Sequence, residues 1–153
     1  MTASLPDLTA LPDTDAVRLL ALVADYASAL PDLAHQRRTA DRLGEAAADV
    51  TADFGDAVTD GDLARAALAY LATTPEGTPA LSAAAAIPAG TTRFDPTGLL
   101  VGALVVAVLQ TDVDLTRDRD GRWKLHIRKH AMRDSTLAAL VAKLLSYYRQ
   151  NRP

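Results

Sequence analysis

Asp112-Val113-Asp114-Leu115-Thr116-Arg117-Asp118-Arg119-Asp120-Gly121-Arg122-Trp123-Lys124-Leu125-His126-Ile127-Arg128-Lys129 is the stretch that decides the fold. Two alternating runs flank Asp120-Gly121, which is a hairpin signal. The loop length follows from register. A two-residue loop sets Leu115 opposite His126 and Val113 opposite Arg128, so apolar and charged side chains share a face. A three-residue loop, Arg119-Asp120-Gly121 with Gly121 in the left-handed conformation, sets Val113 opposite Ile127 and Leu115 opposite Leu125. The other face then reads Asp112–Arg128, Asp114–His126, Thr116–Lys124 and Asp118–Arg122. Directly opposed unlike charges contribute ~0.2–1 kcal/mol each, and a one-residue slip destroys both patterns together. The three-residue loop with a bulge is therefore expected, with Val113, Leu115, Leu125 and Ile127 turned inward.

Helices are expected on both sides of this ribbon. Before it, Gly98 to Leu109 is apolar on nearly every side, and Asp95-Pro96 has the form of a helix start. Asp95 and Asp112 bound this segment, leaving about 16 uncharged residues where a membrane span needs ~20, so a buried core helix is expected. After the ribbon, Asp134 or Ser135 can cap a helix to about Arg149. Leu137, Leu140, Val141, Leu144, Leu145 and Tyr148 form its apolar stripe. Residues 99–148 thus join an apolar helix, the Asp120-Gly121-Arg122-Trp123-Lys124-Leu125-His126-Ile127 hairpin and a capped helix beginning Asp134-Ser135-Thr136-Leu137. This third of the chain resembles small uncharacterised bacterial α+β domains that accompany proteases or NTPases in defence and signalling systems. The resemblance implies an accessory or adaptor role and carries over no site residues.

The N-terminal part is helical in pattern. Alanine, the best helix former, occurs 31 times, and 23 leucines supply much of the core volume. A helix from about Asp15 to Leu30, capped by Thr14 or Asp13, has a broad apolar face and is expected to be central. A second runs from about Asp32 to Phe54. Its apolar row is Leu33, Ala40, Leu43, Ala47, Val50 and Phe54, and its polar face holds His35, Arg38, Asp41, Arg42, Glu45 and Asp49. It is expected to pack on the first helix, or to form a dimer seam. Thr59 or Asp60 caps a third, Asp62 to about Ala72, with Leu63, Ala66, Ala67, Tyr70 and Leu71 facing inward. The expected organisation is one α+β, mostly helical domain of 153 residues. It has a flexible arm (1–12), mobile or loosely docked, a helical half (13–72), a loop (73–95) with a short helix in the alanine block at Leu81–Ile87, and a helix–hairpin–helix half (96–150).

Function is constrained mainly by what is missing. There is no Cys, which removes disulfides and thiolate metal sites and suits a reducing cytoplasm. The start of the chain has no basic region or apolar run and does not read as a signal peptide. His126 and His130 lie some 13 Å apart on a strand. The acids Asp49, Asp53, Asp56, Asp60 and Asp62 lack calcium-loop order. Gly98-Leu99-Leu100-Val101-Gly102 lacks the Lys-Ser/Thr of a phosphate loop. Ser82, Ser135 and Ser146 have no base at a recognisable spacing. No catalytic residue, cofactor or metal is expected.

Charge is uneven. Residues 1–96 carry fourteen acids and six bases, net −8, and residues 97–153 five acids and ten bases, net +5. Such polarity points to a nucleic-acid or partner surface, or to halves that pack together. The ladder uses Arg122, Lys124 and Arg128, and Trp123 falls on the apolar side. Arg117, Arg119, Lys129, His130 and Arg133 remain as candidate contacts to a partner or to nucleic acid. A non-enzymatic adaptor that binds a protein, or itself, is the leading expectation. A nucleic-acid binder using the basic hairpin is the alternative.

Overall fold

The computed structural model describes residues 7–26, 32–48, 58–75, 77–87, 100–109, 113–117, 119–128 and 135–150. A 3-10 turn (Leu8–Ala10) leads into α1 (Asp13–Tyr26), α2 (Leu33–Ala48), α3 (Asp60–Leu71), α4 (Gly77–Ala85) and α5 (Val101–Val108). The hairpin β1 (Val113–Arg117) and β2 (Trp123–Ile127) and the last helix α6 (Ser135–Gln150) follow. The fold class is mostly helical α+β, with one antiparallel two-stranded sheet before the final helix, as the sequence pattern indicates.

The centre is α1. Ala16, Val17 and every residue from Leu19 to Ala24 are buried, so the helix is apolar almost all round, as expected of one enclosed by others. Its main neighbours are α3, α4 and α5. Buried side chains from α1 to α5, Val113 of β1 and the α6 stripe of Leu137, Leu140, Val141 and Leu144 form one continuous cluster. Burying a leucine fully contributes ~1.5–3 kcal/mol, and Leu20, Leu68, Leu81, Leu104, Leu137 and Leu144 are all enclosed in this way.

Helix starts are fixed by specific groups. Asp32 accepts the His35 backbone N–H at 2.7 Å and opens α2. Thr59 caps α3 through a capping box. Its Oγ1 accepts the Asp62 N–H at 3.0 Å, and Asp62 accepts the Thr59 N–H at 3.1 Å. These bonds satisfy N–H groups that have no partner within the helix. That backbone bond, with the Arg65 guanidinium next in effect, holds the Asp62 carboxyl below its usual pKa. Arg65 spans the starts of α1 and α3. It donates to the Leu11 carbonyl at 2.7 Å, to Asp13 at 2.8 Å and to Asp62 at 2.6 Å.

Several expectations change. Residues 7–12 are docked, with Leu8 and Leu11 packed on the core and held in part by Arg65; residues 1–6 of the expected arm lie outside the described residues. The expected loop at 73–95 contains α4, which starts before the alanine block and packs on α1 with Leu81 enclosed. Thr74 fixes its start by accepting the Gly77 N–H at 2.9 Å.

The main neighbours of α2 are α6, β2 and α5 rather than α1. Its buried row is Gln36, Thr39, Leu43, Ala46 and Ala47, and Leu33 is exposed. Gln36 explains the shift, because its Oε1 accepts the Leu100 N–H at 2.9 Å and a buried amide is tolerated when bonded. The same bond corrects the start of α5. Its N-cap is Leu100, with no side-chain cap of its own, so the helix does not run from Asp95-Pro96. The expected caps Asp95 and Asp134, and the expected continuation of α2 to Val50 and Phe54, lie outside the described residues.

Candidate functional site

The hairpin forms in the register derived above. Val113 pairs with Ile127, Asp114 with His126, Leu115 with Leu125, Thr116 with Lys124 and Arg117 with Trp123. Gly121 has φ +80°, the left-handed value that a three-residue loop ending in a bulge demands and that glycine adopts at little cost. The expected Asp112–Arg128 and Asp118–Arg122 pairs each include a residue outside the described set.

On the inward face, Val113 is buried, while Leu115, Leu125 and Ile127 are half-buried against the core. The last inward pair, Arg117 and Trp123, stands where the core meets solvent. The Arg117 Nε–H donates to the Gly121 carbonyl at 3.0 Å and so ties the end of β1 to the loop. Trp123 is half-buried rather than enclosed. The Arg42 guanidinium lies 4.2 Å from its ring centre, and that of Arg117 lies 6.0 Å away. A guanidinium within about 6 Å of an indole face is attracted by the ring quadrupole.

Arg42 comes from α2, and sequence reasoning missed it as a member of this cluster. Its place on the polar arc of α2 marked it as solvated, and nothing local in the sequence points to a tryptophan far along the chain. Of the expected contact residues, Arg117 and Arg119 are brought together at the exposed tip. Lys129, His130 and Arg133 lie outside the described residues. Arg122, Lys124, His126 and Arg128 are exposed along β2 and just beyond its ends, and Arg119, Arg122, Lys124 and Arg128 each engage a partner. The tip is thus basic, with one aromatic at its base.

A second polar cluster lies where α6 meets α3 and α5. The Tyr147 hydroxyl donates to Asp60, and the Tyr147 and Tyr148 rings meet edge-on at 5.1 Å. Burial, reinforced by the Asp60 charge, raises the pKa of both phenols well above the usual value. Both therefore stay neutral through the ordinary pH range, so neither serves as a base there. Gly102 of α5 lies directly against the Tyr148 ring, and a Cβ there would overlap it. These groups join helices. Among the described residues, no three His, Cys, Asp or Glu side chains are grouped to hold a metal ion, and no helix is long and apolar enough to cross a membrane.

No protein-family model matches the chain, nor does any curated protein or solved structure with which it was compared.

Proposed function

We propose that this chain is a non-enzymatic protein-interaction module, an adaptor in a bacterial multi-component system of the defence or signalling kind, working in the cytoplasm. It binds by accepting a partner strand along the hairpin. The observation that carries this reading is the state of the sheet. It has only two strands, no third strand pairs with either among the described residues, and three of its four inward aliphatic side chains are half-buried. A strand edge offers unpaired N–H and C=O groups that an extended peptide can complete. With α2 against β2, β1 is taken as the docking strand; its Val113 N–H is already bonded to the Leu109 carbonyl at 2.8 Å, so the edge for such an addition is the stretch from Leu115 to Arg117.

The test is hydrogen exchange on the intact chain. Peptides selected against it by display are added, and the amides of β1 are followed. Slowed exchange confined to 113–117 supports strand addition. Selected peptides that bind elsewhere and leave β1 unchanged refute it. Light scattering at high concentration separates self-association from binding to another protein.

The exposed bases Arg117, Arg119, Arg122, Lys124 and Arg128 favour a second reading, a nucleic-acid binder using the hairpin. Phosphate contacts release counterions, so such binding falls steeply with salt. A gel-shift titration at two salt concentrations decides it, and no shift at the lower one removes this reading.

A further inference from the structure

Two positive charges converge on one indole at the mouth between α2 and the hairpin. Arg42 lies 4.2 Å and Arg117 6.0 Å from the centre of the Trp123 ring. Like charges repel, yet the fold gathers these two from separate parts of the chain. Among the described residues neither belongs to an ion pair, unlike Arg65, which pairs with Asp13 and Asp62. The indole offsets part of the repulsion, and an anion from outside would offset more. Arginine is well suited to this role, because its planar fork matches a carboxylate.

The pair sits at one end of a half-covered apolar stripe. Along β1, the inward positions are Val113, Leu115 and then Arg117. The Val113 N–H is bonded to the Leu109 carbonyl at 2.8 Å, so a strand laid beside β1 would stand ~4.8 Å from its remaining edge, with inward side chains directly beside Leu115 and Arg117, their Cβ atoms ~4.5–5.5 Å away.

We propose that the partner strand is acidic at one end. An apolar side chain seats beside Leu115, clear of Val113, whose N–H is bonded to the Leu109 carbonyl, and a carboxylate seats beside Arg117 within reach of Arg42. This rests on the reading of the β1 edge as the docking strand. A single-stranded nucleic acid fits the tip less well. Binding of that kind relies on aromatic faces for base stacking, and the tip's one indole is already covered by Arg42.

The experiment uses the full chain and labelled synthetic peptides followed by fluorescence anisotropy. Two probes place glutamate at either end of an alternating Val-Thr-Val core, to cover both strand directions. Matched probes carry lysine in place of glutamate, and an oligothymidine serves as the polyanion control. A glutamate probe should bind saturably and slow the β1 amides, and its lysine counterpart should bind about tenfold more weakly. Arg42→Gln should weaken the glutamate probe and leave the lysine probe unchanged. Arg117→Glu should invert the preference, which only a folded protein can show.

Equal binding of glutamate and lysine probes with β1 protected overturns the acidic partner and leaves the edge reading intact. No peptide binding with β1 unchanged overturns both. Oligothymidine bound more tightly than the glutamate probe, and lost in Arg117→Glu, overturns the proposal in favour of nucleic acid. Dimerisation without peptide that Arg117→Glu abolishes overturns it in favour of a second copy of this chain.

Discussion

Gly121→Ala tests the register argument at its narrowest point. Gly121 has φ +80°, and a Cβ placed there meets nothing within 4 Å. The substitution therefore adds no clash and removes no contact, so its effect comes from the backbone alone. Holding a residue with a Cβ in the left-handed region costs ~1–2 kcal/mol. Replacing glycine also restricts the unfolded chain, which returns ~0.4–1 kcal/mol. The net expectation is a loss of about 1 kcal/mol. In a chain of this length that lowers Tm by ~2–4 °C. Urea unfolding followed by circular dichroism should show a lower midpoint with an unchanged slope. Gly121→Asn should cost less, because asparagine tolerates this conformation. If Ala matches the parent, or if Asn costs as much as Ala, the loop is not held as described. The charge ladder and the inward row then lose their basis.

Three further outcomes are expected. Gly44 lies within α2, and a Cβ there meets nothing within 4 Å, so Gly44→Ala should stabilise the fold by ~0.5–1 kcal/mol; a drop in thermal midpoint would mean that something seats against that glycine. Thr59→Ala should cost ~1 kcal/mol through loss of the α3 cap. The depressed Asp62 carboxyl, bonded first by the Thr59 N–H and then by Arg65, should contribute stability that is complete above about pH 4 and is lost as pH falls through the folded value; Asp62→Asn should flatten that acid limb, and an unchanged limb would refute the assignment. Tyr147 and Tyr148 have raised folded values, so their contribution is complete below the unfolded value of about 10 and declines at higher pH as the unfolded chain ionises first; Tyr147→Phe should weaken the α6–α3 junction by ~1.5–3 kcal/mol and soften the alkaline limb, as read by urea midpoints from pH 8 to 11.

The legible parts of the fold are those where two local patterns constrain each other. In the hairpin, the apolar alternation and the charge alternation demand the same register, and Gly121 supplies the loop geometry that register needs. The inward row of Val113, Leu115, Leu125 and Ile127 follows from this alone. For α3, Thr59 and Asp62 fix the start and the 3.6-residue period fixes the face. The hidden parts are those where a distant group decides. Periodicity placed Leu33 and Ala40 on the buried row of α2 and missed Gln36 and Thr39. The Leu100 N–H at the start of α5 bonds the buried Gln36 amide, while Leu33 stays exposed. The same bond serves the start of α5, where Leu100 has no side-chain cap of its own and an acceptor from another helix does the work of a local one. For α4, the Thr and Pro residues around it read as loop, yet Thr74 uses that chemistry to open a helix.

The candidate site divides in the same way. The basic tip is visible because Arg117, Arg119, Arg122 and Lys124 crowd a short stretch, but abundance of charge does not identify what is available to a partner. Arg119, Arg122, Lys124 and Arg128 each already engage a partner, so the net +5 of residues 97–153 does not measure what a ligand meets. What distinguishes the tip is a pair assembled across the fold, Arg42 from α2 and Arg117 from β1, on the ring of Trp123. Helical periodicity ranks the faces of α2 by polarity. It does not say which element stands opposite each face, so it assigned Arg42 to solvent with the rest of its arc. A charge on the wrong side of a periodic pattern is a signal in sequence; a charge on the right side that tertiary structure turns toward an indole leaves none.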